Sequence, residues 1–323
     1  MKMDRHTDLI SQRLGFGCGR LKGGHEKANA LRLVHAALDL GLRHFDTAPP
    51  YGLGTSESVL GEALKGRQEP VTVFTKAGLA RPASPGLMQT ARAIVKPLAN
   101  HIPGLRKAVL KGMAHRAAPA NFNPDFIAQS FETSLRLLQR EQVDGLLLHE
   151  AQAHDTLAPL KPLFDRYVAQ GQLVAYGSST GEPFDQLVRF GTVLQYRCPV
   201  PGTDEVPSEF SDEVPPASTD ILHGAFRFIA PAISEQMARD SQLKDQLASL
   251  LPAGTDPAAA TGALALAYAL AQCHNRLLFS TNQPQRLATT LQHVRHVTGS
   301  AQWRPAMQTL HAAFAQTGAL CAA

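Results

Sequence analysis

The stretch "RHFDTAPPYGLGTSE", Arg43–Glu57, joins the end of an apolar run to an acid. The run "LDLGLRHF" stops at Asp46, and after two prolines Tyr51 stands beside a glycine. A carboxylate at the tip of a buried strand needs a counter-charge, because an unpaired buried charge is expensive. Other strand ends are the place to look for it.

Outward from this stretch, short apolar runs alternate with helical patterns. "RLGFGCG", "LRHFD", "VTVFTK", "VDGLLLH", "LVAYGSS", "TVLQYR", "STDILHGAF" and "RLLFST" read as strands. "EKANALRLVHAALDLG" reads as a helix with Leu31, Val34 and Leu38 on one face and Gly41 at its C-terminal cap. "SESVLGEALKG" reads as a helix capped by Ser56. In "NPDFIAQSFETSLRLLQR", Asn123 caps, Pro124 suits the first turn, and Ile127, Phe131, Leu135 and Leu138 share a face. "LAPLKPLFDRYVAQG", "EPFDQLVRFG", "DPAAATGALALAYALAQC" and "QPQRLATTLQHVRHV" complete the helices.

The strands are continuous apolar runs, the pattern of a parallel sheet covered by helices. "GFGCGRLKGG" does not complete GxGxxG, which weakens a dinucleotide-type open sheet. Eight strands, most followed by a helix, fit a (β/α)8 barrel, and 323 residues suit one such domain over 1–323. Two segments interrupt the rhythm. Residues 79–123 form a long insertion after the third strand, and 199–217 an acidic, proline-rich loop between the sixth and seventh.

Composition narrows the function classes. Hydrophobic residues make up 44% and charged residues 18%, ordinary for a large globular core. A net charge of +4 without a basic recognition motif does not point to nucleic acid. "GALALAYALAQC" is too short to span a bilayer, and "MKMDRHTDLISQRLGF" has no apolar core of signal-peptide length. Cys18, Cys198, Cys273 and Cys321 are scattered with no CxxC pair, so a cytoplasmic location is expected.

In an α/β barrel the carboxyl ends of the strands face one common site. Asp46 ends the second strand, Lys76 the third and His149 the fourth, and Tyr51 lies in the loop after Asp46. Lys76 is therefore the expected partner of Asp46. Each residue alone has an ordinary structural explanation; the four together at neighbouring strand exits point to a site. A phenol titrates near pH ~10 in water. An ammonium and an imidazole beside it are expected to lower that value and make Tyr51 a proton donor, or acceptor in reverse. A carbonyl held by Tyr51 and His149 would be polarised for hydride attack, and the hydride must come from a nicotinamide.

The motifs "GLRHFDTAPPYGLGTSESVLGEAL", "VFTKAG", "SFETSLRLLQREQVDGLLLHE" and "GQLVAYGSST" resemble the aldo-keto reductase superfamily. "APPYGLGTSE" is most similar to the subgroup that oxidises free sugars at C1. The resemblance implies the (β/α)8 barrel, a tetrad of Asp46, Tyr51, Lys76 and His149, and usually NADPH. The glycine strand aligns through Gly17 and Cys18. The pair that holds the carboxamide falls on Ser179 and Thr180, replacing the usual Asn, and the sixth-strand glutamine is Gln195. Towards the adenosine phosphate, Arg286 matches an arginine, while Ser280, with its neighbour Thr281, and Thr290 stand where other members carry Lys or Asn. Fewer charges there leave NADH as an alternative to NADPH. Near the seventh strand many members have an aromatic that stacks on the nicotinamide; here Leu222 or His223 occupies that neighbourhood.

From Leu79 to Asn123 there is no Asp or Glu, and Arg81, Arg92, Lys96, Arg106, Lys107, Lys111 and Arg116 are interleaved with apolar residues. This segment is a solvated connection, a lid for an acidic substrate, or a surface for a peripheral anionic partner. "PVPGTDEVPSEFSDEVPPASTD" is acidic and is either a lid partner for the basic segment or a flexible loop. No metal site is expected. "HEAQAH" is one residue too long for HExxH, and His293 and His296 read as a solvent-facing pair. The leading expectation is an NAD(P)-dependent oxidoreductase acting on a small carbonyl or sugar. The alternatives are a non-catalytic or regulatory cofactor-binding barrel, and a Schiff-base lyase or aldolase through Lys76. Asp46 argues against the last, since a salt-bridged lysine stays protonated.

Overall fold

The computed structural model describes residues 5–82, 119–181, 188–201, 220–272 and 276–321. Eight parallel strands close into a barrel in sequence order. They are β1 (Leu14–Gly17), β2 (His44–Asp46), β3 (Thr72–Ala77), β4 (Val143–His149), β5 (Leu173–Ser179), β6 (Val193–Arg197), β7 (Ile221–His223) and β8 (Arg276–Phe279). β1 pairs with both β2 and β8, which closes the ring.

Among the described residues the helices are α1 (Arg5–Arg13), α2 (Lys27–Asp39), α3 (Ser56–Leu64), α4 (Pro124–Leu138), α5 (Lys161–Ala169), α6 (Ala225–Phe228), α7 (Ala230–Arg239), α8 (Ser241–Ala248), α9 (Pro257–Gln272), α10 (Pro284–Gly299) and α11 (Trp303–Cys321). The barrel reading therefore holds, and its strands end where the apolar runs end. α4 begins as the sequence dictates. The Asn123 side chain accepts from the Asp125 and Phe126 amides at 2.9 and 3.5 Å, and Pro124 sits in the first turn. Its buried face carries Ile127, Phe131, Leu135 and Leu138.

Several local expectations change. On α2 the inward stripe is Ala30, Leu33, Val34, Ala37 and Leu38, while Leu31 is only half-buried. Counted from Ala30, these residues fall at i, i+3, i+4, i+7 and i+8, one face of the helix, which takes Leu33 and leaves Leu31 to the side. Ser56 is not a cap; it is the first residue of α3, and its hydroxyl donates to the Cys18 carbonyl and pairs with the Thr47 hydroxyl. "STDILHGAF" is a strand only through His223, because Gly224 takes a positive φ of 85° and starts α6. His293 is buried and His296 exposed, so they are not a solvent-facing pair. α1, α7, α8 and α11 carry no strand-linked rhythm and escaped the sequence reading. Residues 182–187 of the helix read from "EPFDQLVRFG", most of the 79–123 insertion and nearly all of the 199–217 loop lie outside the described residues, and 188–191, which are described, are not helical. No described helix is long and apolar enough to cross a membrane.

The apolar core has two parts. The larger packs between barrel and helices, and a smaller one of Leu147, Val193, Ile221 and Leu278, joined by Phe74 and Ala175, fills the barrel itself. Space there is allocated by Gly145, where a Cβ would lie 2.4 Å from the Phe74 ring. The filled interior is a floor on which the polar strand ends stand.

Candidate active site

β2 and β3 are adjacent, with Asp46 in register with Phe74. This brings Lys76 to Asp46: its Nζ donates to Oδ1 at 2.6 Å and Oδ2 at 2.7 Å, and to the Thr47 carbonyl at 3.1 Å. Asp46 is 2% and Lys76 1% exposed. Acceptors for three donors occupy the bonding capacity of an ammonium. Burial alone pulls the Lys76 pKa down, and Asp46 and Tyr51 outweigh it and raise it. A lysine held charged in this way has no lone pair for a Schiff base, which disfavours the lyase reading.

Tyr51 follows two prolines in a tight turn. Gly52 makes the turn feasible with φ 58°, and a Cβ there would lie 1.8 Å from the Leu21 carbonyl oxygen. Gly52→Ala is expected to destabilise the fold by more than ~2 kcal/mol, measured as a fall in the urea midpoint. Lys76 Nζ lies 4.9 Å from the Tyr51 ring centroid, and the His149 ring meets that ring edge-on at 5.7 Å. The tetrad read from the sequence is therefore one cluster.

Its electrostatics correct one expectation. Burial pushes the Tyr51 phenol above its ordinary value, and the pull of Lys76 offsets this only in part. Tyr51 is thus a neutral phenol at neutral pH, with a cation placed to receive the charge when the proton leaves. Burial, and then Lys76 and His223, hold His149 well below the usual imidazole range. Its Nδ1 is buried without a hydrogen-bond partner among the described residues, in keeping with a neutral ring.

His44, inside the barrel on β2, is likewise held low, first by burial. Below pH ~6.5 the unfolded chain takes up protons on these histidines that the folded chain refuses. Stability should therefore be complete above pH ~6.5 and be lost as pH falls through that value towards the lower folded pKa values. Urea midpoints across this range should show the slope, and His149→Gln should flatten it; an unchanged slope would contradict the assignment.

Above the tetrad the strand ends form a cavity of about 330 Å³. Gly17, Asp46, Tyr51, His149, Ser179, Thr180, Gln195 and Ser280 line it, as the sequence suggested. The Ser179 hydroxyl donates to Gln195 Oε1 at 2.7 Å across β5 and β6. Of the two residues considered at the seventh strand, His223 lines the cavity, its Nε2 3.1 Å from the Thr180 carbonyl, and Leu222 turns into the core. Four expected cofactor residues do not reach the cavity wall. Cys18 and Thr281 are buried behind it, Thr290 is buried on α10, and Arg286 is exposed on the same helix.

The wall also contains groups that sequence reasoning missed. Glu150, directly after His149, has φ 59°, and its carboxylate accepts from the Thr180 hydroxyl at 3.3 Å and the Gly181 amide at 3.1 Å. Arg20, Phe226 and Arg227 line the rim. Read as strand, the GAF segment hides Phe226 and Arg227; only the turn at Gly224 delivers them. A polar side wall, two rim guanidinium groups and an aromatic suit a ligand that combines an amide, phosphates and a ring, so the residues present fit a nicotinamide dinucleotide.

Comparison with known proteins agrees with the barrel fold. Residues 13–192 match the Aldo/keto reductase family. The chain is 30% identical over 190 residues to a D-threo-aldose 1-dehydrogenase of Pseudomonas sp, covering 54% of this chain and 53% of that one. It is 37% identical over 79 residues to an aldo-keto reductase of Bacillus subtilis, covering 23% and 24%. The matches thus span from about a quarter to about half of these relatives' length. In fold, the chain is similar to the glycerol dehydrogenase of Gluconobacter oxydans, with TM-score 0.61 and 19% identity over 92% of this chain and 90% of that one. It is also similar to the holo form of an aldo-keto reductase from Bacillus halodurans, with TM-score 0.59 and 20% identity over 92% and 91%.

Proposed function

Since the chain belongs to the aldo/keto reductase family, we propose that it is an NAD(P)(H)-dependent oxidoreductase that interconverts a carbonyl and an alcohol, or a sugar hemiacetal and a lactone. The observation that carries this is the charged Lys76–Asp46 pair beneath a neutral Tyr51 phenol, beside a neutral His149, at the mouth of one cavity. A nicotinamide cofactor would supply the hydride. Tyr51 and His149 hold the substrate oxygen. In reduction Tyr51 gives its proton to that oxygen, and Lys76 stabilises the phenolate left behind. Asp46 keeps Lys76 charged. In oxidation the same phenolate takes the proton back.

Ser179, Thr180 and Gln195 would hold the carboxamide, with Gly17 along the first-strand side and Cys18 only backing it. Ser280 and Arg286 would lie towards the adenosine end, with buried Thr281 and Thr290 packed behind them, and exposed Arg286 suits a 2′-phosphate. NADPH is therefore the proposed cofactor. Arg286→Ala should raise the KM for NADPH roughly tenfold and leave that for NADH unchanged; equal effects on both would remove this preference. A free sugar at C1 is the proposed substrate class, supported by the likeness to an aldose dehydrogenase. The cytoplasm is the proposed location. Turnover of aldoses, aldehydes and ketones with both cofactors tests the whole reading, and no turnover on any of them would sink it.

A further inference from the structure

The first cation of the basic segment, Arg81, belongs to the Tyr51 turn. Glu57, the second residue of α3, is 0% exposed, and both of its oxygens are engaged. Oε1 accepts from the Thr75 hydroxyl at 2.5 Å, and Oε2 is ion-paired with Arg81 Nη2. The other terminal nitrogen of Arg81 donates to the Pro49 carbonyl at 3.4 Å and the Gly54 carbonyl at 3.3 Å. Those carbonyls bracket Tyr51, and Thr75 precedes Lys76 on β3. One buried carboxylate thus ties the loop that carries the phenol to the strand that carries the ammonium.

We infer that Arg81, seated on buried Glu57, positions Tyr51 over Lys76. The physical reason is the planar fork of the guanidinium, which can satisfy a carboxylate and two carbonyls at once; a lysine offers a single nitrogen. The turn has other anchors, with Tyr51 N–H on the Ala48 carbonyl at 3.1 Å, Gly54 N–H on the Tyr51 carbonyl at 2.9 Å, the Thr55 hydroxyl on the Gly52 carbonyl at 2.7 Å and the Ser56 hydroxyl on the Cys18 carbonyl at 2.9 Å, but among the described residues Arg81 alone ties the Pro49 and Gly54 carbonyls to the Glu57 carboxylate. Catalysis by proton transfer depends steeply on such placement. The inference rests on the role proposed for Tyr51.

The test compares Arg81→Met and Arg81→Lys with the unaltered chain, using 4-nitrobenzaldehyde and NADPH as probes. For Arg81→Met, kcat should fall roughly tenfold or more, while KM and the NADPH Kd stay within about twofold. Arg81→Lys should recover part of the loss. Added to Tyr51→Phe, Arg81→Met should cost nothing further, because a residue acting through Tyr51 cannot act twice. An equal loss in both backgrounds, or an unchanged kcat per folded molecule, overturns the inference. Hydrogen exchange of residues 47–57 gives a reading independent of turnover. Arg81→Met should speed exchange there and leave β4 and β5 unchanged; unaltered protection overturns the inference. If Arg81→Met does not fold, Arg81→Lys is read in the same way. If the unaltered chain turns over no carbonyl, the proposed activity fails while the exchange result still decides whether Arg81 orders the turn.

Discussion

Tyr51→Phe should bind NADPH as the unaltered chain does and lose carbonyl turnover by about 10²–10⁴-fold, the usual contribution of a positioned acid or base. The ring and its edge-on contact with His149 survive the change, so packing is preserved. Only the hydroxyl, and with it the transferable proton, is removed. The pH profile supplies a second reading of the same residue. Because burial raises the phenol, reduction should stay level through neutral pH and fall only as pH rises through a value above ~10. Nucleotide fluorescence measures the binding and steady-state kinetics the turnover. Retained turnover in the variant would remove Tyr51 from the mechanism.

Lys76→Met should be the most damaging single change for stability near the site. It leaves Asp46, 2% exposed, without its counter-ion, and breaking a buried pair costs about 3–5 kcal/mol. Adding Asp46→Asn should recover most of that loss, because the residual charge disappears. Turnover should not return, since no cation remains beneath the phenol. Urea denaturation and kinetics on the single and double variants separate the two roles. A double variant that is both stable and active would show the pair to be structural only.

Asp46, Lys76 and His149 were legible because each stands at the carboxyl end of a mainly apolar strand, where an ionisable group has few reasons to exist. Ser179 and Gln195 were legible only through the family resemblance, since neither carries a charge that an apolar strand would have to explain. Glu150, Phe226, Arg227 and Arg81 were not. Glu150 depends on a left-handed backbone beside His149, Phe226 on the turn at Gly224, and Arg81 on carbonyls that lie 27 and 32 residues away in sequence. Charged and aromatic residues in connections look like ordinary surface until the chain folds back on them.

The sequence by itself determined the barrel, the family likeness and which strand ends carry ionisable groups, because apolar periodicity and strand termini are local properties. Tertiary structure alone decided their electrostatic state. Burial is a sum over everything packed around a group. It turned the expected low pKa of Tyr51 into a raised one, chose His223 over Leu222 for the cavity wall and made Arg81 part of the Tyr51 turn.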